Sequence, residues 1–234
     1  ASLLRPKALM PFCGVPALEL AASQIAHAGI TTTVVNAWYL APLVEAAVAD
    51  LRQRYGWNLV VSREPVLLDT GGGLVAGARL VPDARRFLVY NADVVIDFPL
   101  LDLLERHEAS GAAVTALLAP GRGPCTVEAE DGGAIVSFRR PRGAGGFTFT
   151  GVYVLDRSVL DLLPAEGPSS IVDGFEAAIA AGRPVIGHSI GGAYWTDLGA
   201  PSDYIRAHGE VADRGLHHHP RLREAQAEQA RRRA

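Results

Sequence analysis

The feature that most constrains this chain is the order in which two hydrophobic periods follow each other. Runs rich in β-branched and aromatic residues, TTTVVNA at 31–37, NLVVS at 58–62 and FLVYNADVVI at 87–96, alternate with PALELAASQIAHAG and LAPLVEAAVADLRQRYG, where apolar residues recur at helical spacing. Strand, helix and strand in that order make right-handed crossovers, with successive strands parallel in one sheet. From residue 112 the strands come closer together as AAVTALLA, CTVEAE, AIVSFRR and FTFTGVYVLD, separated by PGRGP, EDGG and PRGAGG. The second half therefore predicts antiparallel pieces added to the same sheet. SSIVDGFEAAIAAG predicts a further helix, capped by Ser169 or Ser170 and closed by Gly182, before a last strand PVIGHSI.

Composition narrows the class. The 234 residues suffice for one large domain that buries about 70% of the surface its unfolded chain exposes. A hydrophobic fraction of 49% is that of a soluble globular protein, and no apolar run comes near the ~20 residues of a membrane-spanning helix, so no membrane association is expected. The net charge of -3 disfavours extended nucleic-acid binding. Cys13 and Cys125 lie far apart without metal-ligand spacing, and the first residues lack a signal-peptide layout, so the cytoplasm is the expected compartment. Cys13 reads as a small packing residue. The predicted organisation is one domain over 1–216 and a polar tail over 217–234, with HHH at 217–219 a solvated surface run and RLREAQAEQARRRA a helix that frays at its end.

Of 22 basic residues only Lys7 is a lysine, and a compact ammonium in an arginine-rich chain suits phosphate. In FLVYNADVVID a run apolar on both faces is broken by Asn91 and Asp93 near its carboxyl end, the edge at which open α/β sheets bind ligands. Asp93 fits a Mg²⁺ ligand or a turn residue; Asp97 is a weaker candidate that also suits a cap on FPLLDLLERHEASG. Asp197 in YWTDLGAPSDY fits a helix cap, or the second half of a two-carboxylate cradle with Asp93. In EPVLLDTGGGL three glycines open a helix, either exposing backbone N–H groups to a phosphate or base edge or forming a tight turn. No Walker or G-x-G-x-x-G pattern accompanies them. Gly151 interrupts the strong strand FTFTGVYVLD, as a ligand lying against the backbone or a β-bulge requires.

PKALMPFCGVPALE, EPVLLDTGGGL, NADVVID, FTGVYVLD and YWTDLGAPSDY, in this order and over nearly the whole chain, resemble the sugar-1-phosphate nucleotidyltransferases, especially short bacterial uridylyl and guanylyl members. The resemblance implies a Rossmann-like three-layer α/β/α fold with a mixed, mainly parallel sheet. It implies that Lys7 touches nucleotide and leaving-group phosphates, that Glu64, Thr70, Gly71, Gly72 and Asn91 hold the nucleotide, that Gly151 and Thr150 line the sugar site, and that Asp93 and Asp197 bind Mg²⁺. The implied partners are a nucleoside triphosphate, UTP or GTP, and a sugar 1-phosphate. The implied reaction is in-line attack of the sugar phosphate on the α-phosphorus with loss of pyrophosphate.

Members of that family carry a strand and a G-x-G-T/S-R loop ahead of the P-K segment, whereas this sequence opens at ASLLRPKAL. The expectation is that both lie upstream in a longer chain, because deleting a central strand would leave an apolar seam unpaired. SFRRPRG stands where many relatives have E-K-P; Arg140 replaces the phosphate-binding lysine as a cation, but Arg139 cannot accept hydrogen bonds as the glutamate does. Two alternatives stand beside the main reading: a catalytically weak regulatory or nucleotide-binding homologue, and cytidylyl or uridylyl transfer to a non-sugar phosphate.

Overall fold

The fold is known from a computed structural model, which describes residues 4–140 and 146–233. The turn expected at PRGAGG lies, apart from Gly146, outside the described residues. A hairpin of β1 (Pro11–Phe12) and β2 (Val15–Pro16) opens the chain, turning through Cys13 and Gly14, both at positive φ. Then follow α1 (Ala17–His27), β3 (Thr32–Ala37), α2 (Ala41–Tyr55), β4 (Asn58–Arg63), α3 (Asp69–Ala78), β5 (Arg86–Tyr90), β6 (Val94–Ile96), α4 (Leu100–Ser110) and β7 (Val114–Pro120). The second half contains β8 (Glu128–Ala129), β9 (Ile135–Ser137), β10 (Phe147–Asp156), α5 (Ile171–Ala180), β11 (Val185–Ser189), β12 (Trp195–Asp197), α6 (Pro201–Arg214) and α7 (Pro220–Arg233).

The main sheet has the order β11-β7-β10-β5, with β11 parallel to β7 and β10 antiparallel to both β7 and β5. The sheet is mixed, as expected, but β3 and β4, which the alternation puts parallel in the same sheet as β5, lie outside it. Strand β7 is buried over Val114–Ala119, so its alternate residues serve two cores. Val114, Ala116 and Leu118 meet Tyr153 and Phe175 of α5 on one face, and Leu117 and Ala119 meet Val152, Leu103 and Ile96 on the other. Ser170 caps α5 by accepting from the Val172 amide, and Gly182 closes the helix at φ 68. The expected β8–β9 pieces form a separate ribbon, tied to the sheet by bridges from Val127 to Phe147 and from Ala134 to Ile186.

Three further expectations are corrected. The run FLVYNADVVI is two strands, because the backbone turns through Asn91–Asp93 and β6 leaves the main sheet to pair antiparallel with β12. Asp97 does not cap α4, whose first turn follows Pro99 without a side-chain cap; its carboxylate accepts from the His218 amide at 2.6 Å. The HHH run is not uniformly solvated. His219 is 1% exposed, and its Nε2–H donates to the Ile96 carbonyl at 2.8 Å. Its segment leads into α7, whose Arg221 pairs at 2.8 Å with Glu19, a buried carboxylate that also accepts from Arg54 and Tyr55. That triple partnership holds the Glu19 carboxyl below its ordinary range in spite of burial, which alone would raise it.

Strands β3 and β4 pair parallel with each other, register Thr32 to Asn58 through Ala37 to Arg63, and form a ribbon apart from the main sheet. Between the unpaired edges of β3 and β5 runs a cleft of about 1230 Å³, lined by Thr32–Asn36 of one strand and Phe87–Tyr90 of the other. Only Val35 on β3 and no residue of β5 is buried at that level, apart from Ala37 at the strand end, whereas β7 and β10 are almost wholly buried.

Unpaired strand edges exchange amide hydrogens freely. Hydrogen exchange of this chain is expected to find cleft-facing amides of β3 and β5 less protected than those of β7 and β10. Equal protection would contradict the open sheet. A second expectation concerns His219, whose burial lowers its pKa from 6.5 to about 4. The unfolded chain then binds one more proton than the folded one between these values, so stability is full above pH 6.5 and falls toward pH 4, by at most about 3 kcal/mol. His219→Gln, which keeps an N–H donor, is expected to flatten this part of the Tm-against-pH curve.

Candidate active site

The β6–β12 pairing assembles the site. Its register places Asp197 opposite Val94, the residue after Asp93, and the Leu198 amide donates to the Asp93 carbonyl at 2.7 Å. Two aspartates 104 positions apart in sequence are thereby brought side by side at the carboxyl edge of the sheet. Asp93 is about one-third exposed, and its carboxyl is raised above the ordinary range by burial first and by the charge of Asp197 second, with Lys7 opposing. Lys7 reaches them from the turn after Pro6, with Nζ 3.9 Å from Asp93 Oδ2. Asp197 does not cap α6, which begins after Ala200; its Oδ1 accepts from the Gly199 amide, an Asx-type turn that fixes the carboxylate.

Two hard carboxylate oxygens donors of this kind fit Mg²⁺, with water and phosphate oxygens completing an octahedron. Their like-charge proximity, visible in the raised Asp93, is what a divalent cation would relieve. Among the described residues no group of three or more His, Cys, Asp or Glu side chains is placed to hold a metal ion.

The glycine loop is built for packing against the 167–170 segment. The Gly71 and Gly72 amides both donate to the Ser169 carbonyl, at 2.7 and 3.2 Å, so they are not the free N–H groups that the sequence suggests. A Cβ on Gly71 would stand 2.8 Å from that carbonyl, and one on Gly72 only 2.4 Å from the Gly167 carbonyl. Thr70 accepts from the Ile171 amide at 3.2 Å, and Asp69 precedes it at φ 59. Glu64, 7% exposed, accepts from Asn36 Nδ2 at 2.9 Å and from the Leu68 amide at 3.1 Å. Asn36, Glu64, Asp69, Thr70 and Asn91 all line the carboxyl end of the cleft between β3 and β5. Asn36 was absent from the sequence reading. It interrupts TTTVVNA near its carboxyl end just as Asn91 interrupts FLVYNADVV, so the same argument would have found it.

Gly151 is a bulge: β10 shifts register against β7 between Phe149 and Tyr153, and Gly151 has φ 81. The Asn91 side chain fills the space beside it, 2.6 Å from where a Cβ would lie. Thr150, expected at the sugar site, is engaged within the sheet. Its side chain is buried and donates to the Leu117 carbonyl at 2.8 Å, while its own carbonyl accepts from the Trp195 indole at 3.0 Å. Arg140 is not brought to the aspartates; its guanidinium pairs with Glu128 at 3.5 Å. Arg139 pairs with Asp173 of α5. Cys13 is half-buried against the core around Phe12, and burial raises its thiol, as befits a packing residue.

Because backbone blocks Gly72 where the neighbour cannot swing aside, Gly72→Ala is expected to destabilise the chain by roughly 1–3 kcal/mol. Gly132→Ala, whose Cβ would meet nothing within 4 Å and whose φ is not positive, is the matched control expected to change Tm little. Equal Tm values for the two variants would remove the packing account of the loop.

Comparison with known proteins fits this arrangement. The family described as nucleotidyl transferase matches residues 2–214. The chain is 30% identical to a mannose-1-phosphate guanylyltransferase of Mycobacterium tuberculosis over 97% of its own length and 64% of the relative's. It is 27% identical to the catalytic subunit beta of mannose-1-phosphate guanylyltransferase from Dictyostelium discoideum, over 89% of this chain and 59% of that one. The chain thus spans about three-fifths of the length of these relatives. Its fold superposes on a putative glucose-1-phosphate thymidylyltransferase from Bacillus anthracis, crystallised with a sucrose, at TM-score 0.77 and 18% identity, covering 90% of this chain and 88% of the other. With a match that runs through Lys7, Asp93 and Asp197 alike, the chain belongs to the nucleotidyl transferase family.

Proposed function

We propose that this chain carries the catalytic part of a sugar-1-phosphate nucleotidyltransferase that joins a nucleoside triphosphate to a sugar 1-phosphate and releases pyrophosphate. The observation that carries the reading is the convergence of Lys7, Asp93 and Asp197 on one small volume at the carboxyl edge of the sheet. A phosphate oxygen of the acceptor attacks the α-phosphorus, the new P–O bond forms in line with the bond to the β-phosphate, and that bond's electron pair leaves with pyrophosphate. The acceptor phosphate is already ionised at neutral pH, so no general base is needed. Mg²⁺ held by Asp93 and Asp197 would supply charge neutralisation to the phosphates. Lys7 adds a compact positive charge to oxygens that gain charge as pyrophosphate leaves. Arg140 serves an acceptor phosphate only by leaving Glu128, and a 3.5 Å pairing of part-exposed groups costs little to break.

Guanosine is the favoured base. Glu64, an acceptor-only group when ionised, stands at the end of the cleft that also holds Thr70, and two adjacent N–H donors on the guanine edge match it better than the single N–H of uracil. Similarity to mannose-1-phosphate guanylyltransferases supports the same choice. The compartment we propose is the cytoplasm, where nucleoside triphosphates are made; the free Cys13 and Cys125 support a reducing setting.

The test is pyrophosphate release across four nucleoside triphosphates and several sugar 1-phosphates with Mg²⁺, using a protein that includes any segment upstream of residue 1. GTP with a hexose 1-phosphate is expected to be the best pair. Nucleotide binding without release from any pair would move the protein to the binding class. Lys7→Ala is expected to lower turnover by about 10² or more with Tm nearly unchanged, and Lys7→Arg to recover only part of it, because a planar fork replaces a compact ammonium. Wild-type turnover in Lys7→Ala would take Lys7 out of the active site.

A further inference from the structure

The position of Lys7 says more than that it is near the aspartates. Its Nζ lies 3.9 Å from Asp93 Oδ2, and a Cβ built on Gly199 would lie 3.4 Å from the same nitrogen and 2.7 Å from Asp197 Oδ1. The ammonium and both carboxylates thus border one space, kept open by the absence of a side chain at Gly199. Building on the two-aspartate metal site proposed above, we propose that Lys7 is itself the resident cation of that cradle, neutralising Asp93 and Asp197 until a divalent cation arrives with the triphosphate and then passing to the phosphates.

Three observations fit a cation that must be able to leave. The 3.9 Å separation exceeds the ~2.7–2.9 Å of a charge-assisted hydrogen bond, so no directional bond has to break. The lysine side chain is 54% exposed, and an ion pair of that kind is weak. Its backbone, by contrast, is held: the Leu9 amide donates to the Pro6 carbonyl at 2.9 Å and the Met10 amide to the Lys7 carbonyl at 3.0 Å. A fixed base with a four-carbon arm lets the charge swing without moving the chain. Arg122 and Arg206 share a cleft with Asp197 and Gly199, and Arg206 is already taken by Asp203 and Glu210 at 3.0 and 2.8 Å.

The consequence is an order of binding. A free metal ion must displace an intramolecular competitor, and its apparent affinity falls by the fraction of time the cradle is open. A metal ion that comes bound to a triphosphate brings phosphate oxygens that take over Lys7, so metal and nucleotide bind cooperatively, each raising the affinity of the other.

Mn²⁺, which takes the same oxygen ligands, reports on this by electron paramagnetic resonance of the free ion in titrations with and without GTP. Lys7→Met is expected to bind Mn²⁺ alone about threefold more tightly than the wild type, the factor for a weakly held competitor that fills the site about two-thirds of the time, and to show less coupling between Mn²⁺ and GTP. Adding Asp93→Asn to Lys7→Met is expected to abolish the gain. Equal or weaker Mn²⁺ binding by Lys7→Met, with Mn²⁺ and GTP still binding the wild type together, overturns the resident lysine and leaves the metal site standing. Absence of Mn²⁺ binding by every variant, with GTP present or not, overturns the two-aspartate site and this proposal with it.

Discussion

The chemistry-bearing groups depend on one short piece of backbone pairing, the antiparallel ladder of Val94–Ile96 with Trp195–Asp197. Without it Asp93 and Asp197 belong to distant parts of the chain. Three residues make a weak ribbon on their own, so the ladder is fastened from outside. The Gln24 side chain in α1 donates to the carbonyls of Ile96 and Phe98 at 3.2 and 2.9 Å, His219 donates to Ile96 as well, and the Asp97 amide donates to the Tyr194 carbonyl at 2.8 Å. Trp195 ties the second strand to the main sheet through Thr150. The C-terminal segment is therefore part of what holds the two aspartates together, although α7 begins 23 residues beyond Asp197.

Strand and helix alternation was legible because it depends on side-chain period alone, and β3, α2, β4, β7, β10 and α5 lie close to where the sequence puts them. What was not legible depends on contacts between distant segments. FLVYNADVVI has a single continuous strand composition, and only the partnership of its second half with YWTD makes it two strands. His219 lies in a run that looks solvated, and nothing local reports that the Ile96 carbonyl waits for its N–H. Gly71 and Gly72 left a ligand opening and a tight turn equally open, and what decides their packing is the Gly167 and Ser169 backbone from a segment almost a hundred residues later. Lys7 and Asp93 were conspicuous for the opposite reason, since each breaks the composition of its own surroundings, whereas Asp197 reads locally as a cap and stands out only beside Asp93 and in the family resemblance.

The sheet itself is divided. β5, β10, β7 and β11 form one hydrogen-bonded set, and β3–β4 stand as a separate parallel pair across the cleft. Two-stranded parallel ribbons are not stable alone, and this one is held by the α1–α2 core, in which Leu18, Val35, Val44, Val48 and Leu59 pack together. The cleft presents the free edges of β3 and β5 along their lengths, with Asn36 and Asn91 at its carboxyl end.

The same edge shows why the active site and the sheet cannot be optimised separately. Asp93 is buried enough for desolvation to be the largest influence on its proton affinity, and Asp197 adds like-charge repulsion. Protonating Asp93 would relieve both, but a neutral carboxyl is a poor ligand for a hard cation. The fold answers with position: Asp93 keeps one-third of its surface in solvent, Asp197 is turned onto the Gly199 amide, and Lys7 stands within Coulomb range of the first. Each device lowers the cost of holding two negative charges together without filling the space between them. A buried arginine would have neutralised them more completely, since its planar fork matches carboxylates with two hydrogen bonds, but it would also have closed the site to a metal ion and a phosphate. In a chain that uses arginine for all its other strong cations, the single lysine stands where the positive charge must be able to leave.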